Sequence, residues 1–373
     1  MIRILQVVGG LSRGGTESVI MNFYRNIDRK EIQFDFISHH PELNDYEEEI
    51  CRLGGNIFYM PKFKGINIIS YCKEWRLFFQ NHPDYKIIHS HAWSTAAIYL
   101  RIARRNGLFT ISHSHSVSAR KGLSAIGRRI LKIPLKNVAD YYMACSVAAA
   151  TWMFGSKIRN KKNFTILPNA INLDEFRYDG KTRKELRREL HVEDSLVIGH
   201  VGVFDSNKNQ EFIIELFHSY HQVNPKAVLW LIGDGSYRNK LKEKVKNLGD
   251  PVVFWGVRDD VSQLLQAVDI FLFPSHFESF GNAALEAQAA GLKVLCSDSV
   301  PNEVSVTDLI SFLPLDKPEL WIKQLIAYHI ENRYHIENRD DSYFRLKGTK
   351  YDIEIAAKWL QEFYLLHADS RVK

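Results

Sequence analysis

Cysteine is scarce. Only Cys51, Cys72, Cys145 and Cys296 occur in 373 residues, and none has CxxC or Cys/His spacing. That excludes a disulfide-framed scaffold and a clustered cysteine metal site, and leaves free buried thiols. Long apolar runs are also missing. No stretch reaches the roughly 18 to 20 uncharged residues that a bilayer crossing needs. The start MIRILQVVGG has neither the basic nor the cleavable apolar region of a secretory signal, so a cytoplasmic location is expected. No large charge excess exists, with 49 Lys and Arg against 43 Asp and Glu. No stacking aromatics interleave the basic cluster, which argues against nucleic acid as a partner. The glycine-rich stretch GGLSRGGTE (9–17) is not GxGxxG, so a dinucleotide fingerprint is lacking too.

What is present is a 45% hydrophobic chain long enough for two domains. Short β-branched runs fall at 2–8, 34–39, 56–61, 86–91 and 109–115, and again at 196–204, 227–233, 252–256, 269–275 and 293–297. Longer amphipathic stretches separate them. This alternation predicts an α/β fold with parallel sheets covered by helices on both faces. Pro168 and Asn169 interrupt the chain ahead of KTRKELRREL, giving expected domains of 1–165 and 170–350. The last segment, 351–373, holds a helical apolar pattern with no strand after it, so it needs an apolar surface, and a return to the first domain is expected. YHIENR occurs twice, at 328–333 and 334–339, and reads as a local duplication rather than a solenoid. Residues 120–136 gather Arg120, Lys121, Arg128, Arg129, Lys132 and Lys136, either as a solvated helix face or as a surface for anionic lipid headgroups.

The most informative stretch for chemistry is PSHFESFGNAALEAQAAGLKVLCSD (274–298). A strand is predicted to end at Ser275, and a helix to begin near Asn282 as its cap. Backbone N–H groups of residues 279–284 then make an anion site at a carboxyl strand end, where ligands of open α/β sheets bind. Glu286, a turn into that helix, can accept from ribose hydroxyls, and Glu278 on the loop can meet a second polyol. The alternative is an exposed Glu278 and a Glu286 favoured only by the helix dipole. The loop with Gly9, Gly10, Gly14 and Gly15 precedes a helix that Thr16 can cap, either as a tight turn or as a close approach to a ligand. His89 with His91, and His113 with His115, are i, i+2 pairs that project to one side of their strands. Four imidazoles suffice for zinc, but no acid or thiol accompanies them.

Glu278 and Glu286, with FGN, LEA and AAG, resemble the signature of retaining glycosyltransferase family 4, of GT-B fold. HSH (89–91 and 113–115), ACS (144–146), LPNAINLDEF (167–176), KNQEF (208–212), LIGDG (231–235, with Gly233) and GVRDDV (256–261) support it in order. The similarity covers nearly the whole chain and is nearest to enzymes that build bacterial capsule or exopolysaccharide. It implies two Rossmann-like domains facing a central cleft, the first for the acceptor and the second for a nucleotide-sugar donor, with the last helix crossing back. It also implies a transferase that uses no metal or other cofactor and acts on a saccharide or lipid-linked acceptor; the lipid-facing reading of 120–136 would set it at the inner membrane face. Glu286 would hold the donor ribose, Glu278 the donor sugar, and the amides of Phe280, Gly281, Asn282 and Ala283 the phosphate or sugar. Gly14 and Gly15 would face the diphosphate and acceptor, and either His113 or His115 the donor sugar. Lys208 would contact the diphosphate. Its usual arginine partner is replaced by Val203, which leaves Arg258 as a helper. A silent nucleotide-sugar-binding subunit and a GT-B epimerase are the rivals. A phosphorylase is disfavoured for lack of a cofactor-bearing lysine motif.

Overall fold

A computed structural model describes the chain apart from residues 43, 93–94, 116–131, 336–338 and 369–373. It separates into two compact units, Met1–Ile171 with Gly348–Lys373, and Asn172–Lys347. The first holds β1 (Ile2–Val8), β2 (Ile32–Ser38), β3 (Ile57–Tyr59), β4 (Ile87–Ser90), β5 (Phe109–Ser114), β6 (Tyr141–Ala144) and β7 (Phe164–Ile166). They form one sheet in the order β3-β2-β1-β4-β5-β6-β7, with every pairing parallel. The second unit holds β8 (Leu196–Val201), β9 (Ala227–Ile232), β10 (Val252–Gly256), β11 (Ile270–Phe273), β12 (Lys293–Ser297) and β13 (Ile310–Leu313). Their order is β10-β9-β8-β11-β12-β13, again parallel throughout. In each sheet the order reverses beside the first strand, between β1 and β4 and between β8 and β11. A crevice opens at such a switch point, because the loops leaving the two strands run to opposite faces.

Each of the apolar runs read from the sequence overlaps a strand. Three further strands, β6, β7 and β13, were not expected. β6 (YYMA) has no β-branched residue, and β7 and β13 are partly exposed sheet edges.

The C-terminal helix Ile353–Ala368 belongs to the first unit and closes its core. Its buried Ala356, Ala357, Leu360, Phe363 and Tyr364 recur at helical spacing, and the same cluster takes in Val19, Ile20 and Phe23 of the helix Gly15–Asn26. Each large apolar side chain sealed there contributes about 1.5–3 kcal/mol. The return is fixed where Ile353 N–H donates to Ile171 O at 3.0 Å.

The second unit is pinned by charge as well as by apolar packing. Arg183 and Arg187, four residues apart on one helix face, reach buried Asp269, Arg187 at 3.0 Å. Arg339 is buried beside them and donates to the carbonyls of Ala290, Leu265 and Val268. So KTRKELRREL, read as a charged stretch, holds two buried arginines. The second YHIENR copy supplies a structural one.

Candidate active site

Two helix starts differ from the sequence reading. The helix Asn282–Ala289 is preceded by Gly281 at φ 111°, with Asn282 as first residue and no side-chain cap. The helix Gly15–Asn26 is preceded by Gly14, so Thr16 lies inside it and caps nothing. Gly281 has a reason to be glycine. Its left-handed conformation disfavours a side chain, and an added Cβ would come within 3.2 Å of the Phe273 ring.

The switch point of the second sheet assembles the polar residues. Asp205 Oδ1 accepts from the N–H groups of Asn207 (3.0 Å) and Lys208 (2.9 Å), folding the loop after β8 into a tight turn. Asn207 then clamps the loop after β11: its amide donates to Phe277 O at 3.0 Å and accepts from Phe277 N–H at 3.2 Å, while its own carbonyl accepts from His276 N–H at 2.8 Å. The two loops are thereby held in register, and Lys208 Nζ meets Glu278 Oε1 at 2.5 Å. The lysine stem lies along Gly202, and its ammonium sits 5.1 Å from the Phe273 ring centroid. Both side chains are mostly buried, 21% and 13% exposed, so the pair is a defined contact rather than a mobile surface bridge.

Glu286 lies on the adjacent helix. Its carboxylate has no hydrogen-bond partner among the described residues, and its pKa is pushed up to about 7, chiefly by burial, then by the charge of Glu175, with Lys208 opposing. A carboxylate poised to ionise near neutrality and lacking donors is suited to accept hydroxyl protons from a ligand. Phe280 is buried as a side chain, so it can offer a ligand only backbone. The amides of Ala284 and Leu285 turn back to Gly281 O, at 3.0 and 3.1 Å, and are lost to an anion site. Gly233 packs so closely on Gly202 O that a Cβ would lie 2.1 Å from it, which gives that glycine a packing role whatever else it does. Arg258 is not drawn to Lys208. Its guanidinium holds Asp260 at 2.6 and 2.7 Å. Val203 is 57% exposed.

The remaining candidates lie in the first unit. Gly14 begins its helix, and Gly15 has open space where a Cβ would be. His89, His91, His113 and His115 form one cluster, His89 stacked on His91 and His113, and the His115 ring tilted against His113 with centroids 3.9 Å apart. Burial is the first cause that pushes all four below the usual imidazole range, His115 to about 3, so they are neutral at pH 7. His89, His91 and His113 bring one ring nitrogen each within 4.8 Å of one another, which is metal-like spacing. His91, however, already spends both nitrogens, on Gln6 and His115 at 2.8 Å each. Sequence reasoning missed Gln6, Asp205, Asn207 and Tyr364. Only the DSNKN turn composition signalled any of them.

Two doubly wound units, each with polar side chains gathered at its switch point, have the architecture of the GT-B fold. HepE of Anabaena, solved in complex with UDP and glucose, superposes with TM-score 0.78 over 98% of this chain and 100% of that one at 17% identity. WaaG, a glycosyltransferase involved in lipopolysaccharide biosynthesis, gives 0.75 over 97% and 99% at 16% identity. In sequence, the model of Glycosyltransferase Family 4 matches residues 13–175, and that of Glycosyl transferases group 1 matches 195–328. EpsF of Bacillus subtilis (strain 168), which carries a glycosyltransferase name, is 30% identical over 333 residues, 87% of this chain and 86% of that protein. An Escherichia coli UDP-Gal:alpha-D-GlcNAc-diphosphoundecaprenol alpha-1,3-galactosyltransferase is 24% identical over 69% of this chain and 68% of its own length. The chain belongs to glycosyltransferase family 4 and resembles bacterial exopolysaccharide enzymes. Among the described residues no helix is long and apolar enough to cross a membrane.

Proposed function

We propose that the protein is a retaining glycosyltransferase that moves a sugar from a nucleoside-diphosphate sugar to a saccharide or lipid-linked acceptor in surface polysaccharide biosynthesis. The observation that carries this is the switch-point trio of the second unit: Lys208 and Glu278 paired, with Glu286 beside them lacking a donor. Donor binding exchanges the ion pair. Lys208 turns to the diphosphate, Glu278 accepts from sugar hydroxyls, and Glu286 takes the ribose. Negative charge grows on the phosphate as the glycosidic bond breaks, and Lys208 with the amides of residues 280–283 stabilises it. On this reading the departing phosphate accepts the acceptor's proton on the same face of the sugar, so no protein nucleophile, metal or other cofactor takes part. The first unit receives the acceptor through the Gly14–Gly15 loop. On this reading the protein acts in the cytoplasm against the inner membrane face, with the basic stretch 120–136, largely outside the described residues, as its contact.

HepE, crystallised with UDP-glucose, and the diphosphoundecaprenol-linked substrate in the E. coli relative's name support the donor and acceptor classes. A thermal-shift panel of nucleotide sugars is the first test, since a ligand of the native state raises stability as ln(1 + [L]/Kd). Release of nucleoside diphosphate, with and without membrane extract, is the second. Stabilisation by at least one donor and release that rises with extract are expected. No stabilisation and no release across the panel would overturn the reading.

A further inference from the structure

Between β3 and β4 the chain runs PKFKGINIISYCKEWRLFFQN (61–81), and its last 14 residues form the helix Ile68–Asn81. Tyr71, Trp75, Phe78 and Phe79 are the buried face of that helix. The opposite stripe is Ile69, Lys73, Arg76 and Gln80, all exposed and within about 60° of one another at about 100° per residue. Ile69 is 84% exposed, and Ile66, on the turn before the helix, is 94% exposed. Ile68 is exposed between them. The turn holds Ile66 outward. Asn67 Oδ1 accepts from Lys64 N–H at 2.7 Å, its amide donates to Lys62 O at 2.9 Å, and its carbonyl accepts from Tyr71 N–H at 2.9 Å. Gly65 takes φ 86°, and the Phe63 ring anchors the turn on Tyr71 with centroids 5.4 Å apart. The segment carries the cations Lys62, Lys64, Lys73 and Arg76 against one acid, Glu74, which lies about 140° round the helix from Ile69. Lys62 is held by Glu42 at 2.7 Å, whereas Lys64, Lys73 and Arg76 have no ion-pair partner among the described residues.

We propose that Ile66, Ile68 and Ile69 form a tip that enters the hydrocarbon edge of an anionic bilayer, with Lys64, Lys73 and Arg76 on the headgroups behind it. This rests on the reading above that the protein works at a membrane, and it adds an apolar contact to the basic stretch 120–136. A lipid surface suits the chemistry better than a protein partner. Aliphatics followed by long cations are the arrangement of a helix at a membrane interface, whose apolar part sinks while Lys and Arg stay with the headgroups. A stable protein interface takes about 20 to 30 residues a side and is poor in lysine at its core. The tip also has a useful place. The turn leaves the carboxyl end of β3, and β1, parallel to it through β2, ends on the same side with the Gly14–Gly15 loop. Docking therefore brings the bilayer to the end of the first unit assigned above to the acceptor.

Pelleting with vesicles of phosphatidylcholine holding about 30% phosphatidylglycerol, at low and high salt, tests this. The parent protein should bind, and part of the binding should persist at high salt, which screens the charges but not the apolar contact. Ile66→Ser with Ile69→Ser should lower partitioning about 10- to 100-fold at both salt concentrations, about tenfold for each aliphatic side chain kept out of the hydrocarbon, with the melting temperature unchanged because both positions are exposed. Ile66→Leu with Ile69→Leu should bind as the parent does. Lys73→Gln with Arg76→Gln should weaken binding at low salt only. A serine variant that binds as well as the parent would overturn this surface and leave the contact through 120–136 standing, whereas a parent that ignores anionic vesicles would overturn both. A parent that sediments without lipid as a dimer, and a serine variant that sediments as a monomer, would overturn the proposal by showing that a second copy covers the isoleucines.

Discussion

Glu286 links the geometry to a pH dependence that can be worked out in advance. Its carboxyl is raised from the ordinary 4.5 to about 7, because ionisation there is opposed by burial and by Glu175. The shift of about 2.5 units corresponds to about 3 kcal/mol at 1.36 kcal/mol per unit, an upper bound because the side chain is only partly buried. Ribose hydroxyls stabilise the carboxylate and not the carboxylic acid, so nucleotide binding must expel the proton wherever the free protein holds one. Affinity should fall about tenfold per pH unit below about pH 7 and level off above it. Calorimetry of nucleotide binding between about pH 5 and pH 8, in buffers of different ionisation enthalpy, reads both the slope and the proton released. Glu286→Gln should abolish the slope, and Glu286→Ala should weaken binding at pH 8 by about 1–3 kcal/mol. The stability sign is the reverse. A carboxyl with a raised folded pKa makes its full contribution to the fold below about 4.5, the unfolded value, and loses it as pH rises through about 7. Glu286→Gln should therefore gain stability over the parent only as pH rises. Affinity independent of pH, or an equal slope in Glu286→Gln, would refute the ribose assignment.

Lys208→Ala should lower turnover about 10²- to 10³-fold with the melting temperature little changed, as for loss of one preorganised transition-state donor. Val203 is exposed, so Val203→Arg incurs no burial penalty and should leave nucleoside diphosphate release unchanged or raised; a fall would show that the position does not face the diphosphate. Asp269→Ala strands the guanidiniums of Arg183 and Arg187 and should cost about 3–5 kcal/mol in chemical denaturation. Co-sedimentation with anionic vesicles should weaken with salt and with the double substitution Arg128→Glu and Arg129→Glu, by about 1 kcal/mol per cation removed, whereas equal binding to neutral vesicles would remove the membrane contact from the account.

The fold class was legible because buried parallel strands read as apolar runs whatever their neighbours. β6 did not stand out because it lacks β-branched residues, nor did β7 and β13, which are partly exposed sheet edges. Spacing marked Glu278 and Glu286 as a pair on a loop and a helix. That Lys208 would meet Glu278 across 70 residues depends on strand order, which places β8 beside β11 and which local pattern does not encode. The helix starts were misread for a local reason: Gly14 and Gly281 take the positions where a side-chain cap was expected at Thr16 and Asn282. Alternation along β4 and β5 revealed that each histidine pair shares a side. Tyr364, 275 residues beyond His89, reaches them only through the chain's return to the first unit.

The central claim is tested most directly by a crystal structure of the protein with the nucleoside diphosphate that the donor panel selects. The account predicts ribose hydroxyls on the Glu286 carboxylate, phosphate oxygens on Lys208 Nζ and the amides of residues 280–283, and the Lys208–Glu278 contact opened. A nucleotide seated away from Glu286, with Lys208 and Glu278 still paired, would contradict it.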